Sequence, residues 1–269
     1  MPLDEGGIFP YVRAVFTSFS SCMDNAFIAT TFDWDHRTPK TWQMLVNKGL
    51  RKMRIPIKIS PAPPSMANVE SRMNLFHLLA QTIAYKVPGD VVELGCNAGD
   101  STIVMQKMLK QLAPEKRLYA FDSFEGLPEI TGSDLADGVY GKGFMAAPLE
   151  LFKYKFKKLG LELPVVHKGW FQDTVPQGLP ERISFALLDG DLYESTKHIL
   201  PHVYERMSPG AIGMIAVYYD EAVFPRRGVS MGYKSPGVKR ACDEFFGDKP
   251  EKVRVLYANE YSNGFFRKR

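Results

Sequence analysis

The stretch that most constrains this chain is residues 91–101, Val-Val-Glu-Leu-Gly-Cys-Asn-Ala-Gly-Asp-Ser. An apolar run carrying one acid reads as a short buried strand, and Gly95 and Gly99 then permit a tight turn and close backbone approach before a helix. Many α/β folds need such a turn for steric reasons alone. The second strand adds chemistry: Leu118-Tyr-Ala-Phe-Asp122 ends on an acid about 25 residues after the glycine turn, where a carboxylate can accept hydrogen bonds from both ribose hydroxyls of an adenosine. The spacing Gly95-x-x-x-Gly99 is not the G-x-G-x-x-G of dinucleotide sites. Glu93 would also repel a pyrophosphate, but not the ammonium group or zwitterionic tail of S-adenosylmethionine. The cradle therefore favours S-adenosylmethionine over NAD.

Apolar bursts alternate with helical stretches through the rest of the chain, as in a doubly wound, mostly parallel sheet covered on both faces. Strands are expected at 91–94, 118–121, 165–168, 183–188, 211–218 and 253–258, and helices at 102–112, 149–159, 194–207 and 237–246. Before them, Val69, Met73, Phe76, Leu79 and Ile83 form the stripe of a helix over 69–85. Residues 1–66 read as an N-terminal helical extension ending in the proline cluster 59–64, which disfavours helix and strand alike; 67–269 read as the cofactor-binding domain. The glycine-rich stretch 126–147 reads as a surface loop.

Composition narrows the partners. A net charge of +4 spread over 34 basic and 30 acidic residues does not call for nucleic acid. The basic run 47–54 is better explained as a solvated helix face than as a phosphate or membrane patch. Cys22, Cys96 and Cys242 are far apart and odd in number, so they suggest no disulfide framework or zinc site. With no long apolar run and no basic-then-apolar leader pattern, a cytoplasmic protein without membrane contact is expected.

A second group of acids follows the strand at 183–188, which runs into Asp189-Gly-Asp191-Leu-Tyr-Glu194. Two carboxylates separated by one glycine can face one site at the carboxyl edge of the sheet, where ligands of open α/β sheets bind. Alternatively, Asp191 or Ser195 caps the helix starting near Glu194 while Asp189 satisfies loop amides. Their place opposite the cradle favours chemistry.

Five ordered motifs, at 87–95, 121–128, 169–176, 188–196 and 236–245, resemble the macrocin O-methyltransferase family, over about residues 68–250. The resemblance implies a Rossmann-like class I methyltransferase with a small-molecule acceptor, a sugar or natural-product hydroxyl. It implies that Glu93 and Gly95 line the methionine end of S-adenosylmethionine, with Cys96, Asn97 and Ser101 also in the cofactor site, that Asp122 and Ser123 hold the ribose, and that Gly169, Trp170 and Phe171 lie by the adenine. It further implies Asp191 as general base, Asp189 beside the cofactor and as a magnesium ligand, an extension covering the acceptor pocket, and a homodimer.

One departure bears on the metal. Where the family's strand after its glycine turn ends in two acids, the ungapped equivalents here are Ala216 and Val217, which offer no side-chain ligand to a hard cation. Only a longer strand or a bulge would bring Asp220 and Glu221 into register; otherwise Asp189 would hold magnesium alone, and poorly. Without the metal a phenol, enol or amine becomes the easier acceptor. Two further readings follow: a cofactor retained without being consumed, for a cyclisation or rearrangement, and a non-enzymatic partner subunit.

Overall fold

A computed structural model of the protein describes residues 41–53, 69–132, 134, 141–220, 235–258 and 262–269. The expected proline linker, most of the N-terminal extension and the 221–234 connection, with Glu221, lie outside these residues. Helix α1 (Thr41–Lys52) carries the basic run as far as Lys52, and Lys48 and Lys52 on it are exposed. Then come α2 (Val69–Ala84), β1 (Asp90–Leu94), α3 (Asp100–Leu112), β2 (Leu118–Asp122), α4 (Leu149–Lys158), β3 (Val165–Lys168) and α5 (Phe171–Gly178). The series ends with β4 (Ile183–Leu188), α6 (Tyr193–Arg206), β5 (Met207–Ile215), α7 (Pro236–Phe245), β6 (Arg254–Leu256) and β7 (Asn263–Arg267).

The seven strands form one sheet in the order β3-β2-β1-β4-β5-β7-β6. The first five are parallel, and β7 runs antiparallel between β5 and β6. All six residues of β4, Ile-Ser-Phe-Ala-Leu-Leu, are buried, because a central parallel strand is covered on both faces. On one face Leu75, Phe76 and Leu79 of α2 and Met105, Met108 and Leu109 of α3 pack with Val91, Phe185 and Ile212. On the other, Ile199 and Val203 of α6 and Val238 and Cys242 of α7 pack with Val92, Leu94, Ala186 and Leu188. Chain order runs outward from β1 to β3 and then restarts at β4 on β1's other side, so the carboxyl ends of β1 and β4 form the topological switch point where such sheets bind ligands.

The doubly wound α/β expectation holds, with local corrections. Met73 is 39% exposed; the buried row of α2 is Arg72, Phe76, Leu79 and Ile83, with Leu75 and Leu78 beside it. Sequence reasoning missed α5, whose interior Pro176 disguises a two-turn helix, and β7, which contains Gly264 and only two apolar residues. Room for β7 comes from Gly213, where a Cβ would stand 2.3 Å from the Phe266 ring. Strand β5 starts four residues earlier than expected and ends at Ile215, although the Ala216 amide still bonds the Leu188 carbonyl at 2.9 Å.

Candidate active site

The carboxyl ends of β2, β1 and β4 are tied into one floor by backbone hydrogen bonds, Gly95 N to Phe121 O and Asp189 N to Leu94 O, both 2.8 Å. Gly95 has φ +92°, and a Cβ there would stand 2.0 Å from the Asp189 carbonyl oxygen, so no other residue fits between the two strand ends. Gly99, at φ +84°, abuts the Phe152 ring at 2.7 Å from where its Cβ would be. The glycine turn and the Asp189 turn are thus in van der Waals contact.

The cradle is internally satisfied. Asp122 accepts the Asn97 amide on Oδ2 at 2.8 Å and the Phe124 amide on Oδ1 at 2.6 Å, and its own carbonyl accepts from Gly169 N at 2.9 Å. Asn97, at φ +46°, donates from Nδ2 to the Met145 carbonyl at 2.5 Å and accepts the Ala98 amide at 2.6 Å. Ser123 is occupied in its own turn, donating to Gly126 O and accepting from Glu125 N. Cys96 packs its thiol among Ile103, Phe124, Phe152 and Phe156, which leaves only its backbone to face a ligand. Trp170 and Phe171, both half-buried, begin α5 beside Gly169.

Glu93 is different. It is wholly buried; Oε1 accepts from the Ser101 hydroxyl, but among the described residues Oε2 has no hydrogen-bond partner. Burial pushes its pKa up to about 7, which the Ser101 hydrogen bond and the nearby Thr102 hydroxyl offset only in part, and the charges of Asp122 and Asp100 push the same way as burial.

Asp189 and Asp191 extend this acidic field. Both are half-buried, and among the described residues neither carboxylate has a hydrogen-bond donor. Burial raises Asp191 to about 7, helped by Asp122; burial, then Asp191, Glu93 and Asp122, raise Asp189 well above the usual carboxylate range. Asp191 sits at φ +56°, which strains a non-glycine residue. Three carboxylates with raised pKa values, Glu93, Asp189 and Asp191, gathered with Asp122 and with one buried oxygen unpartnered among the described residues, form a site that a cation would relieve.

The remaining donor set does not fit magnesium. Ala216 and Val217 follow β5 with no ligating side chain, and the Ala216 carbonyl is held by Asn263 Nδ2. Asp220 pairs with Lys239 at 3.8 Å. No group of three potential metal-binding side chains occurs among the described residues.

Two polar residues that sequence reasoning missed brace the site. Asn263 is fully buried and accepts from Ser71 Oγ at 2.9 Å and Asn74 Nδ2 at 3.1 Å, linking α2 to the end of β5. Asp134, in the loop between β2 and α4, accepts the first two amides of α6, Tyr193 N at 2.7 Å and Glu194 N at 3.2 Å. No local pattern signals a cap supplied from 59 residues away.

Comparison with known proteins places this arrangement. Residues 58–226, more than half of the chain, match the family described as macrocin-O-methyltransferase (TylF). The chain is 35% identical over 166 residues to the Streptomyces olivaceus 8-demethyl-8-(2,3-dimethoxy-alpha-L-rhamnosyl)-tetracenomycin-C 4'-O-methyltransferase, covering 59% of this chain and 64% of that one. It is 31% identical over 172 residues to the Micromonospora griseorubida mycinamicin III 3''-O-methyltransferase, covering 57% and 65%. The matches thus span somewhat under two thirds of these relatives' length. Among solved structures, the O-methyltransferase NovP shares the fold at TM-score 0.67 and 20% identity, over 95% of this chain and 99% of that chain. CalS11, a calicheamicin methyltransferase, does so at TM-score 0.56 and 18% identity, over 95% and 91%. With its motifs, its class I methyltransferase sheet and its matched span in agreement, this chain belongs to the macrocin O-methyltransferase family.

Proposed function

We propose that the protein is an S-adenosylmethionine-dependent O-methyltransferase acting on a hydroxyl of a sugar-bearing natural product, with Asp191 as general base. The observation that carries this reading is the field of Glu93, Asp122, Asp189 and Asp191 around the switch-point crevice, in which the buried Glu93 Oε2 has no partner. An unsatisfied acidic crevice suits the ammonium and sulfonium of this cofactor and would repel a pyrophosphate.

In this reading Glu93, Gly95, Asn97 and the Ser101 hydroxyl line the methionine end, with Cys96 contributing backbone. Asp122 takes the ribose hydroxyls on the lone pairs left free by Asn97 N and Phe124 N, and Ser123 shapes the turn beside it. Gly169, Trp170 and Phe171 flank the adenine. When bound, S-adenosylmethionine supplies an electrophilic methyl group. The residues of the chain do the rest: the tight Gly95–Asp189 contact fixes the two halves of the site relative to each other, which favours an aligned approach of the acceptor oxygen. Asp191, raised to about 7, takes the hydroxyl proton. With Ala216 and Val217 beside Asp189, deprotonation runs through Asp191 and not through a hard cation.

The sugar assignment rests on the relatives, whose names specify 4'-O- and 3''-O-methylation. Homodimeric assembly, a cytoplasmic location and a cover over the acceptor pocket formed by residues 1–66 belong to the same reading. No helix among the described residues is long and apolar enough to cross a membrane. The test is turnover with isotopically labelled methyl donor and three acceptors: the dimethoxyrhamnosyl tetracenomycin, mycinamicin III and demethyldecarbamoylnovobiocin, the last named for a Streptomyces niveus O-methyltransferase 28% identical to this chain. Label transfer to a sugar hydroxyl is expected with at least one. Donor binding without transfer to any acceptor hydroxyl in a wider glycoside panel would contradict the reading.

A further inference from the structure

Helix α6 begins two residues after Asp191 and lacks a cap of its own. Its N-cap position is Leu192, whose side chain offers no oxygen, and no local side chain bonds the exposed first-turn amides. The alternative reading of the sequence, in which these residues serve structure and not chemistry, assigned that task to Asp191 or Ser195. The structure gives it to Asp134, which is 5% exposed and takes Tyr193 N and Glu194 N on separate carboxylate oxygens.

The surroundings are packed tightly enough for this contact to matter. At Gly237, the second residue of α7, a Cβ would stand 2.7 Å from Tyr193 Cβ and 3.1 Å from Asp134 Oδ1, so α7 closes over the cap. At Gly190 a Cβ would meet Ser195 Cβ at 3.2 Å, seating the Asp189–Asp191 turn directly on the first turn of α6. Tyr193 itself is fixed by its hydroxyl hydrogen bond to Glu244 Oε2 at 2.7 Å and by the Arg240 guanidinium, 4.4 Å from its ring centroid. The loop that carries Asp134 is anchored near its far end on the cradle, where Asn97 Nδ2 holds the Met145 carbonyl. One loop therefore grips both halves of the site.

We propose that Asp134 is a positioning residue for Asp191: by capping α6 from the β2–α4 loop it holds the strained 189–192 turn at a fixed place relative to the cofactor cradle. The proposal rests on the reading of Asp191 as the base. It explains how a residue at φ +56° is kept in place when its own carboxylate has no hydrogen-bond donor among the described residues. Freed of the cap, the first turn of α6 frays and the Asp191 carboxylate loses its alignment with the acceptor, while Gly95, Asn97 and Asp122 keep theirs.

The test uses the full chain with Asp134→Ala and Asp134→Asn, the latter keeping one acceptor oxygen for Tyr193 N. Hydrogen exchange followed by mass spectrometry should show amides of residues 190–196 exchanging roughly ten-fold faster in Asp134→Ala, less so in Asp134→Asn, with residues 91–101 unchanged. Calorimetry with S-adenosylhomocysteine should give affinities within about two-fold of wild type. Turnover of the best acceptor among the three glycosides should fall about ten-fold in Asp134→Ala at nearly constant acceptor KM. In an Asp191→Asn background the same change should cost almost nothing further, because a misplaced base that is already absent cannot be lost twice. Unchanged exchange over 190–196, or an undiminished ten-fold loss in the Asp191→Asn background, overturns the proposal. If Asp191→Asn alone leaves turnover intact, the base reading fails, and the exchange result still decides whether Asp134 holds the turn. Should Asp134→Ala not fold, Asp134→Asn carries both measurements.

Discussion

The two halves of the crevice are built on opposite terms. On the cradle side nearly every polar group has a partner: both oxygens of Asp122 hold backbone amides, and Asn97 spans the turn and the neighbouring loop with both ends of its amide. On the other side Asp189 and Asp191 have no donor among the described residues, Asp191 is strained, and burial, then neighbouring carboxylate charge, drives both toward the protonated state. Glu93 lies where the halves meet and shares both characters, one oxygen bonded to Ser101 and one bare. A partnered half is shaped before its ligand arrives; an unsatisfied half holds free energy that a cation or a proton can release.

The contrast is tested most severely at Asp191. Asp191→Asn keeps the shape and removes the base, so turnover should fall roughly 100-fold or more while S-adenosylhomocysteine affinity stays within about two-fold. Equal loss of both would make the residue part of the cradle. Because a base must be deprotonated and Asp191 is raised to about 7 in the ligand-free chain, wild-type kcat/KM for S-adenosylmethionine should decline as pH falls through that value. A profile flat from pH 6 to 8 would break this assignment.

Next in size is Gly95→Ala, which strikes the seam between the halves. With a Cβ 2.0 Å from the Asp189 carbonyl and φ at +92°, strand ends must separate at a cost of about 2–3 kcal/mol. Thermal melting should show a drop of roughly 4–12 °C, with weakened S-adenosylhomocysteine binding; a melting temperature within a degree of wild type would show that the contact is loose.

Glu93→Gln should split stability from binding. The folded pKa of about 7 lies above the ordinary 4.5, so the folded chain holds an extra proton between those values, and stability declines as pH rises across that window. Removing the charge should therefore raise the melting temperature at pH 8 by a few degrees, corresponding to about 1–2 kcal/mol. The same change should weaken binding of the cationic donor about ten-fold. A lowered melting temperature would mean that the carboxylate is satisfied in the fold. Smallest of all is the effect of chelation: with Ala216 and Val217 beside Asp189, turnover measured after EDTA treatment should stay within about two-fold, and loss restored by magnesium would contradict the absence of a metal step.

Much of the cradle was legible because its information is local. Gly95, Gly99 and Asp122 announce themselves through strand-then-glycine and strand-then-acid order, and the same residues that make the elements make the site. Asp189 and Asp191 were equally visible as acids at a strand end, but their isolation from donors was not, since it depends on what the rest of the fold fails to supply. Asp134 and Asn263 were invisible for a related reason: each acts across a long stretch of chain, one on α6 and one between α2 and β5, and neither sits in a periodic pattern. Helix α5 and strand β7 escaped because proline and glycine are read as breakers, whereas here Pro176 fits in a short helix and Gly264 lies against the Tyr218 ring.

The central claim is that an unsatisfied acidic crevice at the β1–β4 switch point receives an adenosyl sulfonium. Titration calorimetry of the full chain with S-adenosylmethionine at pH 7, repeated in buffers of different ionisation enthalpy, tests it directly. One molecule bound per chain, with net release of protons as the raised carboxylates ionise, is the expected result. A folded chain that gives no binding heat, or that binds while taking up protons, would contradict it.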